Sequence, residues 1–428
     1  MSQARPATVD RRATARLDAA AAHERSPRVS IAAQTDIGLT VHDDLRAAEK
    51  LWREFEQRAD CTVFQTYDWL AIWQRNIGVR NDVTPAVVVG RQADGNVLFL
   101  LPLAVEPGRF ARRLRWLGGE QNDYNAPLLA RDFARHVTPE RFVALWREVT
   151  DLIQRHPRLR HDVVELDKMP ETIGAQANPF RHLRVGLHPS GAYLARLGES
   201  WDEFYAAKRS SATRQRDRSK RKRLGELGEV RFVTVTDRNE IGRTLDTLIA
   251  QKTRSFAKMG VANIFAPPGQ REFLLDLATN PAVRPIVHVS RLDVGPIVAA
   301  ANLGLVFRGR YYYLLASHDD GPAWRFGPGV AHLHDLLRYA IERRLDEFDF
   351  TVGDESYKRD WHDSLAILYD HVAAASLRGQ SIALLAVGKR RLKRLIKQTP
   401  VLWRTFSAAR ALAGPLRGRP SDGESDHA

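Results

Sequence analysis

The segment 353–358 places two acids, a tyrosine and a lysine directly after a glycine, which is a set of groups suited to proton transfer. The hydroxyl of Tyr357 can return a proton to a departing thiolate, and the carboxylate of Asp354 or Glu355 can take one from an attacking amine. Only one of these neighbouring acids can face inward if the segment is extended. The alternatives are a tyrosine packed under a surface loop and an Asx turn at Asp354. We predict Tyr357, Asp354 and Glu355 as catalytic residues and Lys358 as a substrate-binding residue.

A glycine-containing loop upstream has the features of a phosphate-binding turn. Gly327 and Gly329 flank a proline and follow two strand-like runs, at 297–307 and 311–317, that are rich in β-branched and aromatic residues. Val330 begins a series of apolar residues at helical spacing. The N-terminus of a helix carries unpaired N–H groups and a positive dipole end, and glycine lets an anion approach the backbone closely. The loop is therefore predicted to bind a pyrophosphate.

The elements around these motifs indicate a mixed α/β fold. Residues 308–310 form a short glycine-containing connection that suits a hairpin, a helix follows the loop, and a further strand spans 347–352. The chain has no HExxH, GxSxG, Walker A or EF-hand pattern, and no metal site is predicted. The common metalloprotease, serine hydrolase, P-loop and calcium-binding classes are thereby disfavoured.

This order of strand, hairpin, strand, glycine loop, helix and strand resembles the GNAT acyltransferases, whose loop reads Gln/Arg-x-x-Gly-x-Gly/Ala. Here Gly327 and Gly329 match the two small positions, and Trp324 stands at the first position. With the motif 353–358, the chain is similar to a bacterial branch of GNAT proteins named after cellulose biosynthesis. That branch is itself similar to the FemAB-type transferases. The resemblance spans roughly residues 40–375.

The resemblance implies a fold, an acyl donor and a set of donor contacts. The fold is an α/β arrangement of tandem GNAT-like domains with mixed sheets. The second domain binds acetyl-CoA or another acyl-CoA as co-substrate. The residues expected to bind this cofactor are Arg325, Phe326, Gly327, Gly329 and Val330.

Length and composition fit two domains of ordinary size. The predicted arrangement is a disordered arm at 1–30, a degenerate first GNAT-like domain at 31–185, the acyltransferase domain at 186–376 and a basic amphipathic tail at 377–428. Hydrophobic residues make up 44% and charged residues 27%, near the soluble globular average, and no apolar run is long enough to span a bilayer. The single Cys61 excludes an intrachain disulfide framework, so a reducing cytoplasm is expected.

Periodicity and turn residues predict the remaining elements. In the first half they are helices over 41–58, from Thr66 onward and over 139–155, with strands at 84–90, 97–105, 115–117, 162–166 and 181–185. In the second half they are helices over 201–225 and 239–259.

A polar insert in the first half, 122–125, lies between turn residues and apolar positions. Asp123 and Tyr124 within it are predicted to bind the acceptor in a cleft between the domains, although turn chemistry alone also explains an Asn-Asp pair. The expected acceptor is a small molecule or a glycan precursor. The name of the resembling family points to envelope or exopolysaccharide metabolism, which is an analogy at the level of fold.

The net charge of +14 is concentrated in two segments. Residues 208–223 hold nine basic residues and one acid, and residues 376–428 hold eleven basic residues and three acids. The first segment predicts a helix with charges on nearly all sides, suited to the phosphates of nucleic acid, tRNA or CoA. It lacks interleaved aromatic residues that stack on bases, so sequence-specific nucleic-acid binding is not predicted. A contact to the acyl donor or a solvated face is favoured.

The second basic segment combines an apolar stripe, Leu392, Leu395 and Ile396, with basic neighbours, and Trp403 follows. Such a segment can lie on the anionic inner leaflet of a membrane. The alternative is a helix docked on its own domain with a solvated basic face. The sequence thus predicts a cytoplasmic protein with either a peripheral contact at the inner membrane or a docked tail.

Three functions are consistent with these residues. The first is transfer of an acetyl or other acyl group from acyl-CoA to an amine, or less readily to a hydroxyl, in a ternary complex. The second is FemAB-like aminoacyl transfer from charged tRNA, which the basic helix permits. The third is a non-catalytic GNAT-like scaffold for polysaccharide synthesis. Titration with acetyl-CoA separates them, because the first function predicts saturable acyl-CoA binding, the second tRNA binding and the third neither.

Overall fold

The computed structural model describes residues 37–398 of the 428-residue chain. The predicted arm at 1–30 and the tail residue Trp403 lie outside the described residues. The strands are β1 Gly38–His42, β2 Thr84–Arg91, β3 Val97–Glu106, β4 Arg113–Trp116, β5 Leu128–Leu129, β6 Val163–Pro170, β7 Thr172–Ile173, β8 Gln176–Ala177, β9 Val185–Leu187, β10 Ala192–Arg196, β11 Val230–Thr234, β12 Val287–Val294, β13 Ile297–Phe307, β14 Arg310–His318, β15 Glu347–Val352, β16 Ser364–Ala366 and β17 Leu368–Ala374. The α-helices are α1 Leu45–Glu56, α2 Tyr67–Trp73, α3 Phe133–His136, α4 Pro139–Arg155, α5 Trp201–Lys208, α6 Ser211–Gly225, α7 Arg238–Lys258, α8 Gln270–Thr279, α9 Pro328–Glu342 and α10 Leu377–Gln398.

The first sheet contains eight of the described strands, in the order β1-β2-β3-β4-β6-β17-β9 with β5 paired to β3. β4 and β6 are parallel and are connected through α4. One face of this sheet packs against Phe142 and Trp146 of α4 and against the nearby Phe180. The other face, with Val87 and Leu100, belongs to a core that it shares with the second half of the chain.

The second sheet has seven described strands in the order β11-β12-β13-β14-β15-β10-β16. β14 and β15 are parallel and are connected by α9, whose Leu333 and Leu337 pack on Phe348. α7 and α8 cover the other face through Leu248 and Phe273. Each half is therefore a mixed sheet flanked by helices, which confirms the predicted α/β class with two mixed sheets in tandem.

The hairpin predicted at 308–310 is confirmed. β13 ends before Arg308 and β14 begins after Gly309, so these two residues form the turn. Both have positive φ, 49° and 77°, as in the type I′ turn that matches the twist of paired strands. The Arg308 guanidinium donates to Ala59 O at 2.7 Å, so the hairpin also fastens the second sheet to the first half.

Two predicted helices differ from the structure because capping residues set the ends. The helix predicted over 41–58 starts too early, since β1 occupies its first residues and the Asp44 side chain caps α1. The helix predicted over 201–225 is in fact two helices. Ser210 begins the second one by accepting a hydrogen bond from the Thr213 N–H at 3.2 Å.

β17 interlocks the two halves. This strand follows the second sheet in sequence, yet it pairs antiparallel with β6 of the first sheet, with Leu368 opposite Pro170. β9 pairs with the other edge of β17, and it begins where the strand predicted at 181–185 was expected to end. The domain boundaries at 185 and 376 stay a prediction, and sheet membership does not follow them.

α10 follows β17 and packs on β17 and β6. A Cβ on Gly379 would lie 1.8 Å from Asp162 O, so the start of this helix lies directly against the end of the first sheet. Within residues 37–398, no helix is long and apolar enough to cross a bilayer.

Candidate active site

β14 and β15 separate soon after they pair. Their parallel register ends with Tyr312 opposite Asp349, and the two strands then diverge. Tyr313 and Phe350, the next residues, line a cavity of about 490 Å³, which we call the splay cavity. α7, the first turn of α9 and the 3-10 segment Ser356–Asp360 complete its walls.

The first turn of α9 closes one end of the splay cavity. Gly327 is the N-cap residue with φ 65° and ψ 57°, a left-handed conformation that glycine adopts without strain, and no side chain caps this helix. Val330 and Ala331 donate to Gly327 O, and Pro328 has no N–H. The Gly329 N–H and the positive end of the helix are therefore left for an anion.

The predicted cofactor residues fall into two groups. Gly327, Gly329 and Val330 line the splay cavity. Phe326 lines a second cavity, of about 210 Å³, which shares Gly327 and Val330 with the first. Arg325 lines neither cavity, because its guanidinium is exposed and lies 5.5 Å from the centroid of the Phe326 ring.

Lys358 is buried and holds the turn after β15. Its Nζ donates to Thr351 O and Val352 O, each at 3.3 Å, and pairs with Glu355 Oε2 at 2.9 Å. Gly353 is needed beside it, because a Cβ there would lie 2.7 Å from this Nζ. A buried ammonium requires such partners. Lys358 lines the splay cavity but is committed to these contacts, so its predicted role in substrate binding stays a prediction.

The two neighbouring acids lie in different surroundings. Glu355 lines the splay cavity. Asp354 is exposed and accepts a hydrogen bond from Ser190 Oγ at 2.9 Å, outside the cavity wall. The structure therefore brings Glu355, and not Asp354, next to the predicted acid Tyr357.

Tyr357 lines the splay cavity, and within residues 37–398 its hydroxyl has no hydrogen-bond partner. Burial raises the pKa of Tyr357 well above its usual range, and the nearby Tyr313 and Glu355 raise it further. The phenol is therefore protonated at neutral pH. A protonated hydroxyl on a cavity wall can donate a proton to a bound leaving group.

The insert 122–125 reaches this cavity from the first half of the chain. Asp123 lines the splay cavity together with residues of the second half. Burial raises the pKa of the Asp123 carboxyl, and the positive charges of Lys168 and Lys358 oppose that shift. The first half thus contributes a carboxyl group of raised basicity to a cavity built mainly by the second half.

Tyr124 does not line the splay cavity but holds Asp349. Its hydroxyl donates to both carboxylate oxygens, at 2.8 and 2.9 Å, and the Thr351 N–H donates to Oδ1 at 2.8 Å. Burial raises the pKa of Asp349 to about 6, against the charge of Arg310 at 3.5 Å. Asp349 was not among the residues predicted from the sequence. Its signal was an aspartate between the aromatic residues of the strand 347–352.

Two cations of the splay cavity were also absent from the predicted site residues. Lys252 of α7 forms no salt bridge with a described residue, and burial lowers the pKa of its ammonium while Glu355 opposes the shift. Arg209, between α5 and α6, pairs with Asp360 at 2.5 Å and lies 5.4 Å from the centroid of the Trp361 ring. Only the fold brings Lys252 to the glycine loop, and no local sequence pattern marks it. Arg209 belongs to the basic run 208–223, for which a contact to the acyl donor was predicted.

The second cavity beside the loop is lined by aromatic, basic and acidic side chains, the acids being Asp202, Asp217 and Asp335. Trp201 and Tyr205 stack with their ring centroids 4.8 Å apart. α6 contributes Arg218, Lys220 and Arg221. The basic run found in the sequence therefore borders the glycine loop.

Comparison with known proteins bears on the second half of the chain. Residues 211–359 match the family model described as Acetyltransferase (GNAT) domain, so this part of the chain contains a GNAT-superfamily domain. The match runs from α6 to the 3-10 segment after β15 and includes the glycine loop and Tyr357. No curated protein matches the sequence.

Solved structures resemble this one at low sequence identity. The chain is similar to FemX, with 11% identity and a TM-score of 0.55, over 81% of this chain and 99% of that one. It is also similar to L-PGS from Bacillus licheniformis, with 11% identity and a TM-score of 0.47 over 83% and 98%, respectively. It is similar as well to a tandem GNAT protein from the clavulanic acid biosynthesis pathway. The sequence identity is 12% and the TM-score 0.42, over 80% of this chain and 99% of that one. The FemX likeness shows a shared fold and does not extend to a shared reaction.

Proposed function

We propose that this protein is an acyltransferase that moves an acetyl or other acyl group from acyl-CoA to an amine, or less readily to a hydroxyl. The observation that carries the proposal is the splay cavity, where two diverging strands meet a helix N-terminus without a side-chain cap. The unpaired backbone of diverging strands suits the amides of an extended pantetheine arm, and the helix end suits a pyrophosphate. The two features lie side by side at Gly327.

The distribution of charge supports a phosphate-bearing donor. Lys252 lines the splay cavity without a salt bridge to any described residue, and Arg209 lines the same cavity. Arg218 and Lys220 lie beside the second cavity, on α6. A pyrophosphate on the loop would supply the anion that the ammonium of Lys252 lacks, and a further phosphate would meet the α6 cations.

The proposed reaction needs a base, a polarised carbonyl and a proton for sulfur. The amine nitrogen attacks the thioester carbonyl carbon, and Asp123 accepts the proton that this nitrogen loses. Backbone N–H groups of β14 beyond Tyr313 stabilise the oxyanion that forms. The C–S bond then breaks with its electron pair on sulfur, and Tyr357 protonates the thiolate. The products are the acylated amine and CoA.

Asp123 suits the role of base better than the two acids singled out in the sequence. Its raised pKa gives its carboxylate more affinity for a proton than an exposed aspartate has. Glu355 is held by Lys358, and Asp354 accepts from Ser190 outside the cavity wall. We therefore assign the base to Asp123, with Glu355 as the alternative.

The acceptor is proposed to be a small molecule or a glycan precursor that approaches the cavity wall formed by Asp123. This placement follows from the base, because the attacking nitrogen must lie within hydrogen-bond reach of the carboxylate. A panel of amines and amino sugars, with release of the CoA thiol as readout, would identify the acceptor class. A role in envelope or exopolysaccharide metabolism is supported if amino sugars react fastest.

Calorimetric titration with acetyl-CoA tests the donor site. We expect saturable binding by the parent protein. Gly329→Val should bind roughly tenfold more weakly or worse, because a Cβ there already lies 3.3 Å from His318 Cδ2 and two more methyl groups crowd the first turn. Gly186→Val is the matched control, since a Cβ at that position meets nothing within 4 Å. Equal affinities of the two variants, or no binding by the parent, would contradict the proposal.

Charged tRNA is the second candidate donor, because α6 also exposes Arg216, Lys222 and Arg223. A tRNA ligand would bind with an affinity that falls steeply as salt rises. Filter binding with bulk tRNA, in the presence and absence of acetyl-CoA, separates the two donors. Binding of neither ligand would favour the non-catalytic scaffold.

A further inference from the structure

α10 has two faces with different surroundings. Its inner face holds Ile382, Ala386 and Arg390, which are partly buried over β17 and β6. The Arg390 guanidinium lies 3.3 Å from Asp370 and 3.8 Å from Glu165. The helix is therefore docked on the first sheet, and one of its basic residues helps to hold it there. The start of the helix at Gly379 also packs directly against Asp162.

The outer face of α10 is a stripe of exposed leucines, which no described residue covers. The five side chains are 57 to 87% exposed: Leu377, Leu384, Leu385, Leu392 and Leu395. Steps of seven or eight residues correspond to about two helical turns, so these leucines share one side of the helix over about 27 Å. No other helix within residues 37–398 exposes as many large apolar side chains. An apolar surface of this kind on a folded protein marks a docking site.

Basic side chains border both edges of the leucine stripe. At 100° per residue, Arg391 falls on one edge, and Arg378 and Lys389 fall on the other. All three are exposed. The helix 377–398 contains no aspartate or glutamate, so nothing within it offsets these charges. The outer face is thus apolar in the middle and positive at its sides.

We propose that the leucine stripe docks on the surface of an anionic lipid bilayer, with α10 lying in the plane of the interface. The leucines would enter the boundary between headgroups and acyl chains, while the arginines and the lysine meet lipid phosphates. The basic residues along the helix suit a position on the bilayer and not across it. The docked inner face would hold the rest of the protein against the membrane in one orientation.

Charge argues against the other occupants of the stripe. A second copy of the chain would bring together two helices that lack acids, and their basic edges would repel each other. A nucleic acid offers phosphates but no apolar surface for five leucines. Residues 399–428 of the same chain are the remaining competitor, and the experiment must separate them from lipid.

Co-sedimentation of the full-length protein with vesicles tests the proposal. We expect the protein to sediment at low salt with phosphatidylglycerol–phosphatidylcholine vesicles, to stay in solution with pure phosphatidylcholine, and to be released by high salt. Leu385→Ser with Leu392→Ser should lower partitioning roughly tenfold or more. Val79→Ser is the matched control, because Val79 is 63% exposed and lies outside α10. This control should sediment like the parent.

Three results would overturn the proposal. Failure to sediment at low salt would show that the stripe does not dock on anionic lipid. Sedimentation that the double leucine variant leaves intact would place membrane contact elsewhere. A dimer that this variant converts to a monomer, measured by light scattering, would assign the stripe to a second copy. None of these results touches acetyl-CoA binding, which uses the splay cavity.

Discussion

The two halves of the molecule share one arrangement of strands and helix, but the N-terminus of the connecting helix differs between them. In each half a helix connects two parallel strands, β4 with β6 or β14 with β15. α4 begins with Pro139 after Thr138, whose side chain accepts a hydrogen bond from the Arg141 N–H. α9 also begins with a proline, but its N-cap is Gly327, which has no side chain to offer. One helix end is satisfied internally and the other is open to an anion.

The spaces beside the two pairs of parallel strands also differ, since one is filled and the other is not. Beside β4 and β6 the insert 122–125 fills the space, since the Asn125 N–H donates to Lys168 O and the Asn122 amide donates to Leu117 O. Beside β14 and β15 the space remains a cavity of about 490 Å³. The first half nevertheless contributes to the site, because its insert places Asp123 in the splay cavity. A cap and a loop therefore decide which copy of the arrangement can hold a ligand.

The largest loss of activity should come from replacing Asp123, the residue that the first half contributes to the splay cavity. Asp123→Asn should lower kcat about 10²- to 10⁴-fold with acetyl-CoA affinity nearly unchanged, because the amine loses its base. In the parent, the rising limb of the pH–rate profile should lie above the pKa of an ordinary aspartate. Steady-state kinetics across pH would check both. If Glu355→Gln shows this loss and Asp123→Asn does not, Glu355 is the base.

A smaller loss of activity is expected from replacing Tyr357, the proposed proton donor in the second half. Tyr357→Phe should lower kcat on the order of tenfold while acetyl-CoA binds as before, because a thiolate leaves readily and needs less help from a proton donor. Burst or steady-state kinetics with a fast amine acceptor would measure it. Tyr369→Phe, which alters a tyrosine of β17, is the matched control. Equal turnover of Tyr357→Phe and the parent would remove Tyr357 as the acid.

The junction of the halves predicts a dependence of stability on pH. Burial raises the pKa of Asp349 from 3.8 to about 6, so the folded state keeps this proton over a range in which the unfolded chain has lost it. The contribution of Asp349 to the free energy of unfolding therefore falls as pH rises from about 4 to about 6 and is constant above that range. Urea denaturation of the parent and of Asp349→Asn should give profiles that diverge over this interval. Parallel profiles would contradict the assignment.

The smallest effect should come from removing the side-chain cap at the N-terminus of α4. Thr138→Ala should cost about 1 kcal/mol in the free energy of unfolding, because the cap to the Arg141 N–H is lost. Acetyl-CoA affinity should not change, since Thr138 does not line the splay cavity. Denaturation and calorimetry on the same preparation would show whether the two helix ends have separate roles. A loss of acetyl-CoA affinity would show that the first half also takes part in donor binding.

Local chemistry made part of this structure predictable. The loop around Gly327 and the turn at 308–310 were predicted because both contain glycine, and Gly327 and Gly309 both adopt positive φ. Asp123 was singled out because turn residues flank its insert; the structure places it in the splay cavity, and its role stays a prediction. The break at Ser210 was missed, although a serine is a common N-cap, because the helical pattern continues across it.

Other parts could not be predicted because they depend on contacts between distant segments. Lys252 lies on a helix with an ordinary amphipathic pattern, and only the sheet order turns it toward the loop. Asp349 could be noticed as an acid in an apolar strand, but its partner Tyr124 is 225 residues away. The return of β17 to the first sheet has no local signal, since a strand carries no mark of its future neighbour.

The return of β17 also constrains the order in which the chain folds. β6 and β17 are joined by contacts such as Lys168 N–H to Asp370 Oδ1, which span 202 residues. During synthesis, β6 must therefore wait as an open sheet edge until residue 374 has left the ribosome, and closing so long a loop is slow. An open edge is a template for pairing with other chains, so this nascent state is the stage most exposed to aggregation. The first half expressed alone would lack β17, the strand that pairs with β6 in the first sheet.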